Sequence, residues 1–452
     1  MTAADTQRTI DAVWRMELAK LIAVLTRIVR DVGIAEDLAH DALVAALEQW
    51  PASGIPDNPG AWLMATAKHR AIDYFRRAQL LDRKHDELGR EMEEQEKAVP
   101  DFDAALDDNV GDDLLRLIFI SCHPVLSTEG RISLTLRLLG GLTTGEIARA
   151  FLASEPAIAQ RIVRAKRTLS DAHVPFEVPR GEEFISRLSS VLQVIYLIFN
   201  EGYTATAGDD LMRPALCEDA LRLGRILAEL VPSEPEIHGL VALMEVQASR
   251  ARARVNAMGE PVLLPDQDRS LWDQLLIRRG LAALERAEQL GGARGPYALQ
   301  AAIAACHARA LTAEQTDWTR VASIYETLGE VAPSPIVELN RAVALAMAYG
   351  PQAGLELVDA LASEADPEDL SLAAHRARRL SEEAWPLRRG SRRIRTRGVD
   401  DAQCAGAETA AGTRGGVRGA LTRGGQSGPT SGHKRRAFAR AQSGPRRAPA
   451  PR

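Results

Sequence analysis

The run Thr143–Leu169, TTGEIARAFLASEPAIAQRIVRAKRTL, is the most informative stretch of the chain. Thr143 followed three positions on by Glu146 forms a capping box. Hydroxyl and carboxylate there satisfy each other's orphaned backbone N–H groups at a helix start. A short helix over Thr144–Phe151 is predicted, then a brief turn. Ser154, with Pro156 tolerated in a first turn, predicts the start of a longer helix. At about 100° per residue, Ile158, Ile162, Ala165 and Leu169 share one face of it. Gln160, Arg161, Arg164, Arg167 and Thr168 share the other. Two short helices joined tightly, the second apolar inside and Arg-rich outside, make a helix-turn-helix. The second helix of such a unit enters the major groove, where Arg reads guanine edges and Gln reads adenine. Lys166 points sideways, a position suited to a phosphate. The alternative is a plain helical hairpin.

Upstream, the apolar positions Trp14, Leu18, Leu21, Leu25 and Ile28 recur at helical spacing, and Gly33 is expected to break that helix. A second helix is predicted over Ala35–Trp50, with the acidic residues Glu36, Asp37, Asp41 and Glu48. Pro51, Gly54, Pro56, Pro59 and Gly60 mark a loop. A third helix is predicted from about Ala61 to Gln79. Trp62, His69, Arg70, Asp73, Arg76 and Arg77 fall in one sector of it, Ala67, Ala71, Tyr74, Phe75 and Ala78 in the opposite one. The second set is expected inside. The first is a mainly cationic stripe headed by an aromatic ring, suited to phosphates and to an unstacked base. The bland alternative is a solvated face with Trp62 tucked against a neighbouring helix. An acidic helix beside a basic one suggests two different partners, a protein and a nucleic acid.

Composition narrows the class. The chain has 452 residues, of which only 4% are aromatic, and β-branched runs are scarce. Ala, Leu, Arg and Glu favour helix, so an all-α fold of several domains is expected rather than a sandwich, barrel or doubly wound sheet. No apolar run approaches the roughly 18 residues of a membrane span, and no secretory signal is legible. A cytoplasmic protein without a membrane contact is expected. The four cysteines, Cys122, Cys217, Cys306 and Cys404, are far apart, so no metal site and no disulfide framework is indicated. The net charge of −5 conceals two populations. From Pro386 onward there are sixteen Lys/Arg against three Asp/Glu, which leaves 40 basic and 58 acidic groups before it. An acidic body repels nucleic acid, so DNA contact must come from local basic faces.

Three stretches, in order, resemble a bacterial RNA polymerase sigma factor of the sigma-70 family, extracytoplasmic-function (ECF) type. AEDLAHDALVAALEQW (Ala35–Trp50) and NPGAWLMATAKHRAIDYFRR (Asn58–Arg77) are similar to region 2. LTLRLLGGLTTGEIARAFLASEPAIAQRIVRAKRTL (Leu134–Leu169) is similar to region 4. The resemblance implies a region 2 helical bundle over 1–81, a charged linker over 82–110 and a region 4 helix-turn-helix domain over 111–176. It implies binding to core RNA polymerase, through the β′ clamp helices and the β flap, and to promoter DNA. Asp37 and Asp41 match positions that face the clamp. His69, Arg70, Arg76 and Arg77, with Trp62, match the surface that opens and reads the −10 element. Arg161 and Arg164, flanked by Gln160 and Arg167, match the −35 recognition helix. The family often has a small or hydroxyl residue where Ala159 or Gln160 stands, so the promoter sequence does not transfer. No catalytic residue, no cofactor and no enzyme activity is implied. The competing reading is a helix-turn-helix repressor with a helical ligand-sensing domain. It leaves the acidic and basic helices of 35–77 unexplained.

The remainder is long for a minimal factor of this kind. Residues 177–385 read as a helical extension. VLQVIYLIFNEGY (Val191–Tyr203) looks like a buried helix. Within Asp317–Gly350, Trp318, Val321, Tyr325 and Leu328 line one helix, and Leu339, Ala342, Val343 and Ala346 a second. That pair resembles a tetratricopeptide unit of a solenoid, and the likeness reaches to about 362. One subgroup of the family carries such an extension, which implies a regulatory role. Asn200-Glu201 and His238 belong to no catalytic set; Cys122-His123 and Cys306-His307 read as core pairs. Residues 386–452, rich in Arg, Gly and Pro, cannot bury a core. They read as a disordered basic arm or, preferably, as the product of a reading-frame shift in a GC-rich coding sequence.

Overall fold

A computed structural model describes residues 3–86, 110–203, 212–256, 258 and 260–364 of the chain. The fold is all-α, and among the described residues the only extended pairing is the isolated bridge Val255–Pro261. The tail assigned to 386–452 and most of the linker assigned to 82–110 lie outside the described residues.

Helix α1 (Ala3–Val29) buries Leu18, Leu21, Ile22 and Leu25. It ends at Arg30, which takes a left-handed φ of 56°, and Asp31 then caps α2 (Val32–Ser53) by accepting from the Ile34 N–H at 2.9 Å. Gly33, expected to break the chain, therefore sits inside the next helix. Pro51 falls in the last turn of α2 rather than in a loop, where the missing N–H forfeits a single bond. Gly54, at φ 87°, makes the exit. The stripe Ala35, Ala39, Ala42 and Ala46 is fully buried and lets α1 approach closely. Helix α3 (Pro59–Asp86) buries Leu63, Ala67 and Ala71 against α1 and α2. It runs past the expected end at Gln79, so residues 82–86 are helical rather than linker. Tyr74, expected inside, is 37% exposed.

Four helices form the next layer: α4 (Val110–Ser121), α5 (Thr128–Leu138), α6 (Thr144–Ala150) and α7 (Glu155–Asp171). Helix α4 packs on α1, where Asp113 meets Arg27 at 2.7 Å and Arg116 at 2.6 Å. The Thr143–Glu146 capping box forms as expected, with bonds of 3.2 and 2.8 Å. Ser154 occupies the N-cap position of α7, but its hydroxyl makes no capping bond.

Helix α8 (Gly181–Tyr203) buries Val191, Ile195, Ile198 and Phe199, and with α9 (Pro214–Leu230) and α10 (Pro235–Ala248) it continues the same apolar core. That core is unbroken from Ile10 to Met244. Arg187 donates to the Phe119 carbonyl at 3.1 Å and Arg222 to that of Leu139 at 2.9 Å, fastening these helices to α4 and α5. Beyond an irregular stretch come α11 (Gln274–Gln289), α12 (Pro296–Arg309), α13 (Trp318–Val331), α14 (Pro335–Tyr349) and α15 (Pro351–Glu364), each packed on the next. In α13, Val321 and Leu328 are buried and Trp318 and Tyr325 half-buried. Leu339 and Val343 of α14, which packs between α13 and α15, are half-buried. Residues 249–273 interrupt the expected succession of helices.

Candidate nucleic-acid interface

Helix α7 presents two chemistries on opposite sides. Ile158, Ile162, Ala165 and Leu169 are buried against α5 and α6, which fixes the roll of the helix. Gln160, Arg161, Arg164 and Arg167 consequently stand exposed, as the sequence led us to expect. Among the described residues Arg167 alone of the four makes an ion pair, 3.4 Å from Asp171; both side chains are mostly exposed, so the pair contributes little. The turn before α7 runs through Leu152 at φ 47°, and Ala153 N–H bonds back to the Ala148 carbonyl at 2.9 Å.

Helix α3 offers the second basic face. His69, Arg70, Arg76 and Arg77 are exposed, and Arg76 lies 3.8 Å from Asp73. Trp62 is half-buried, its ring edge-on to the buried Trp50 at 5.3 Å. Packing against a neighbouring helix and partial exposure are both realised. Asp37 and Asp41 are exposed on α2. Sequence reasoning gave the acidic and basic residues separate partners. The structure brings Asp37 and Asp41 together with Arg70, Asp73, Tyr74 and Arg77 around one shallow cleft of about 230 Å³ between α2 and α3.

Glu36 is the residue that sequence reasoning misplaced. It is 4% exposed and does not share the acidic surface of Asp37 and Asp41. Its carboxylate accepts from Arg137 Nε at 2.6 Å and lies 2.5 Å from Lys166 Nζ. Lys166 is thus an internal partner rather than a free phosphate ligand. His40 completes the node. Its Nδ1 donates to the Glu36 carbonyl at 2.8 Å, so Nε2 accepts from Arg137 at 2.9 Å. Burial alone would raise the Glu36 pKa, but the charges of Lys166 and Arg137 outweigh it and hold the carboxyl below its usual range. A second, exposed link joins Arg15 of α1 to Glu146 of α6 at 2.9 Å. The helix-turn-helix is therefore tied to the α1–α3 bundle by ionic contacts in addition to the shared apolar core.

Among the described residues no cluster of His, Cys, Asp or Glu could hold a metal ion, and no helix is long and apolar enough to cross a membrane. Cys122 is buried beside Thr135, Sγ to Oγ1 3.4 Å, and burial pushes its thiol up to about 11. Glu201 pairs with Arg213, and His238 Nε2 bonds the Pro232 carbonyl at 3.0 Å.

Comparison with known proteins follows the same division. Residues 13–80 match the family model described as Sigma-70 region 2, and residues 116–169 that described as Sigma-70, region 4. Residues 187–288 match a family of unknown function, DUF6596. An uncharacterized protein of Rhizobium meliloti is 43% identical over 339 residues, 75% of this chain and 79% of its own length. A probable ECF RNA polymerase sigma factor, SigI, of Mycobacterium tuberculosis is 25% identical over 179 residues, 39% of this chain and 60% of its own length. No solved structure matches.

Proposed function

Given that the chain belongs to the sigma-70 family, as an ECF-type member with a C-terminal helical extension, we propose that it selects promoters by reading two separated elements while bound to core RNA polymerase. The reading is carried by one observation: two cationic faces, on α3 and α7, stand exposed on one chain while the apolar sides of both helices are buried. In α7, Arg161, Arg164, Arg167 and Gln160 would contact base edges and phosphates of the −35 element. In α3, Trp62 would support an unstacked base of the −10 element, with His69, Arg70, Arg76 and Arg77 on the backbone. Unstacking a base costs a few kcal/mol and aromatic stacking returns about 1–3 kcal/mol. One or two captured bases therefore offset most of the cost. Asp37 and Asp41 would face the β′ clamp helices, and the helix-turn-helix domain the β flap. Covalent chemistry belongs to the polymerase; this chain supplies placement and strand opening.

Simultaneous reading requires the protein to open. Elements named for positions 25 base pairs apart lie roughly 85 Å apart along the duplex at about 3.4 Å per pair. In the structure described, Lys166 of α7 touches Glu36 of α2, and α2 packs directly on α3. Helix α7, at 17 residues, is only about 26 Å long. The two faces cannot reach both elements until the Glu36 node separates. The helices from α8 onward, bonded to α4 and α5, would travel with the helix-turn-helix and bias that opening, a regulatory role for the extension.

The test is run-off transcription with core enzyme on the DNA upstream of the protein's own coding sequence. Discrete starts that depend on the full chain, and fall when Arg161 and Arg164 are replaced by Ala, are expected. Tight binding of the free protein to that duplex, without stimulation of the core enzyme, would instead identify a repressor.

A further inference from the structure

Residues 249–273, between α10 and α11, contain no α-helix. Connections this long without helix or strand are uncommon inside a packed domain, and those that are ordered are often functional. Three 3-10 turns, Ala251–Ala253, Leu264–Asp266 and Arg269–Leu271, order the segment, whose four arginines balance four acidic residues in number but include two that are buried. Arg250 and Arg254 are 7% and 6% exposed. The Arg254 guanidinium lies 3.7 Å from the centre of the Tyr203 ring and donates to the Tyr203 carbonyl; that of Arg250 lies 6.0 Å from the same ring. Arg269 lies 4.8 Å from the Trp272 ring and donates to the carbonyls of His307 and Ala310, both at 2.6 Å.

Arg250 has neither a side-chain hydrogen bond nor an ion pair among the described residues, and its Nε is sealed from solvent. Trp272 Nε1, Gln267 Oε1 and Thr316 Oγ1 are buried without partners in the same neighbourhood, where the turns Leu264–Asp266 and Ala313–Gln315 pack together. Burial and the charges of Arg250 and Arg269 drive the His307 imidazole down to about 3. Among the described residues no carboxylate pairs with Arg250 or Arg269; Glu314, which acts on Arg269 from a distance, is exposed. The two terminal nitrogens of Arg250 keep contact with solvent, so an anion can reach a largely buried guanidinium that no carboxylate among the described residues offsets. Its planar fork matches carboxylate and phosphate groups.

We infer that Arg250, with Arg269 beside it and walled by Tyr203 and Trp272, forms a binding site in the C-terminal extension for the phosphate or carboxylate group of a small solute. The site stands apart from both DNA-reading faces and does not rest on the promoter-reading proposal.

Thermal unfolding of the full chain tests it, with sodium phosphate and sodium succinate titrated separately against sodium chloride at matched ionic strength. A saturable rise in Tm of about 2–4 °C is expected with at least one oxyanion once its concentration exceeds the dissociation constant roughly tenfold. Chloride should give none. A response to phosphate marks a phosphoryl ligand; a response to succinate marks a carboxylate. Arg250→Met removes the charge at similar volume. Its Tm in oxyanion-free buffer should equal or exceed that of the unaltered chain, and its apparent affinity for the oxyanion should fall about tenfold or more. Arg269→Lys, which keeps charge but not the fork, should lose about fivefold and decides the question if Arg250→Met does not accumulate. The absence of any rise beyond chloride, or variants that respond as the unaltered chain does, would overturn the inference.

Discussion

Glu36 shows how little separates a surface acid from a buried one. At about 100° per residue, Asp37 and Asp41 point away from the alanine stripe of α2, while Glu36 lies on its flank. That difference was legible in the sequence; the identity of its partners was not, because Arg137 and Lys166 are 101 and 130 positions away. With two cations against it, loss of the charge leaves both without their carboxylate. Glu36→Gln should therefore lower stability by about 3–5 kcal/mol in denaturant unfolding. The pH dependence has a definite sign. The folded pKa is depressed below 4.5, so the contribution is complete above that value and is lost as pH falls through the folded pKa. His307 acts over a higher window. Its folded pKa of about 3 lies below the ordinary 6.5, so the unfolded chain binds the extra proton. Stability should decline as pH falls from about 6.5 toward 3, and His307→Gln should flatten that decline.

At the scale of elements, the helix-turn-helix was the clearest part of the sequence. Capping box, apolar spacing and charge all pointed the same way, and the burial of Ile158, Ile162, Ala165 and Leu169 follows that reading. Helix ends were less legible. Asp31, rather than Gly33, sets the start of α2, and α3 persists to Asp86 although its last turns lack an apolar period. Tyr74 shares a sector with buried alanines yet lines the open cleft between α2 and α3. The irregular arginine-rich stretch between α10 and α11 gave no periodic signal at all; its content shows only once Tyr203 and His307 are brought beside it. Thr143→Ala should cost about 0.5–2 kcal/mol of stability through loss of the cap. Arg164→Ala should remove about 1–3 kcal/mol of base discrimination, seen as a roughly tenfold or larger fall in transcription from a cognate promoter, with no change in thermal stability.

Over the whole molecule, the apolar core joins the two sigma regions and the first helices of the extension, so the described arrangement is closed. Closure and activity should then respond oppositely to one substitution. Glu36→Gln, though less stable, should initiate faster at limiting core polymerase, because less work is needed to part α2 from α7. Slower initiation by a folded Glu36→Gln chain would mean that the node serves the active state instead. The acidic body also predicts weak DNA binding by the free protein, with both basic faces productive only beside the polymerase. The most direct test is to map start sites across pooled genomic templates transcribed by core polymerase with and without this chain. The account predicts a small set of discrete starts, preceded by two common elements, that appear only when the chain is added. A start-site distribution indistinguishable from that of core polymerase alone would contradict it.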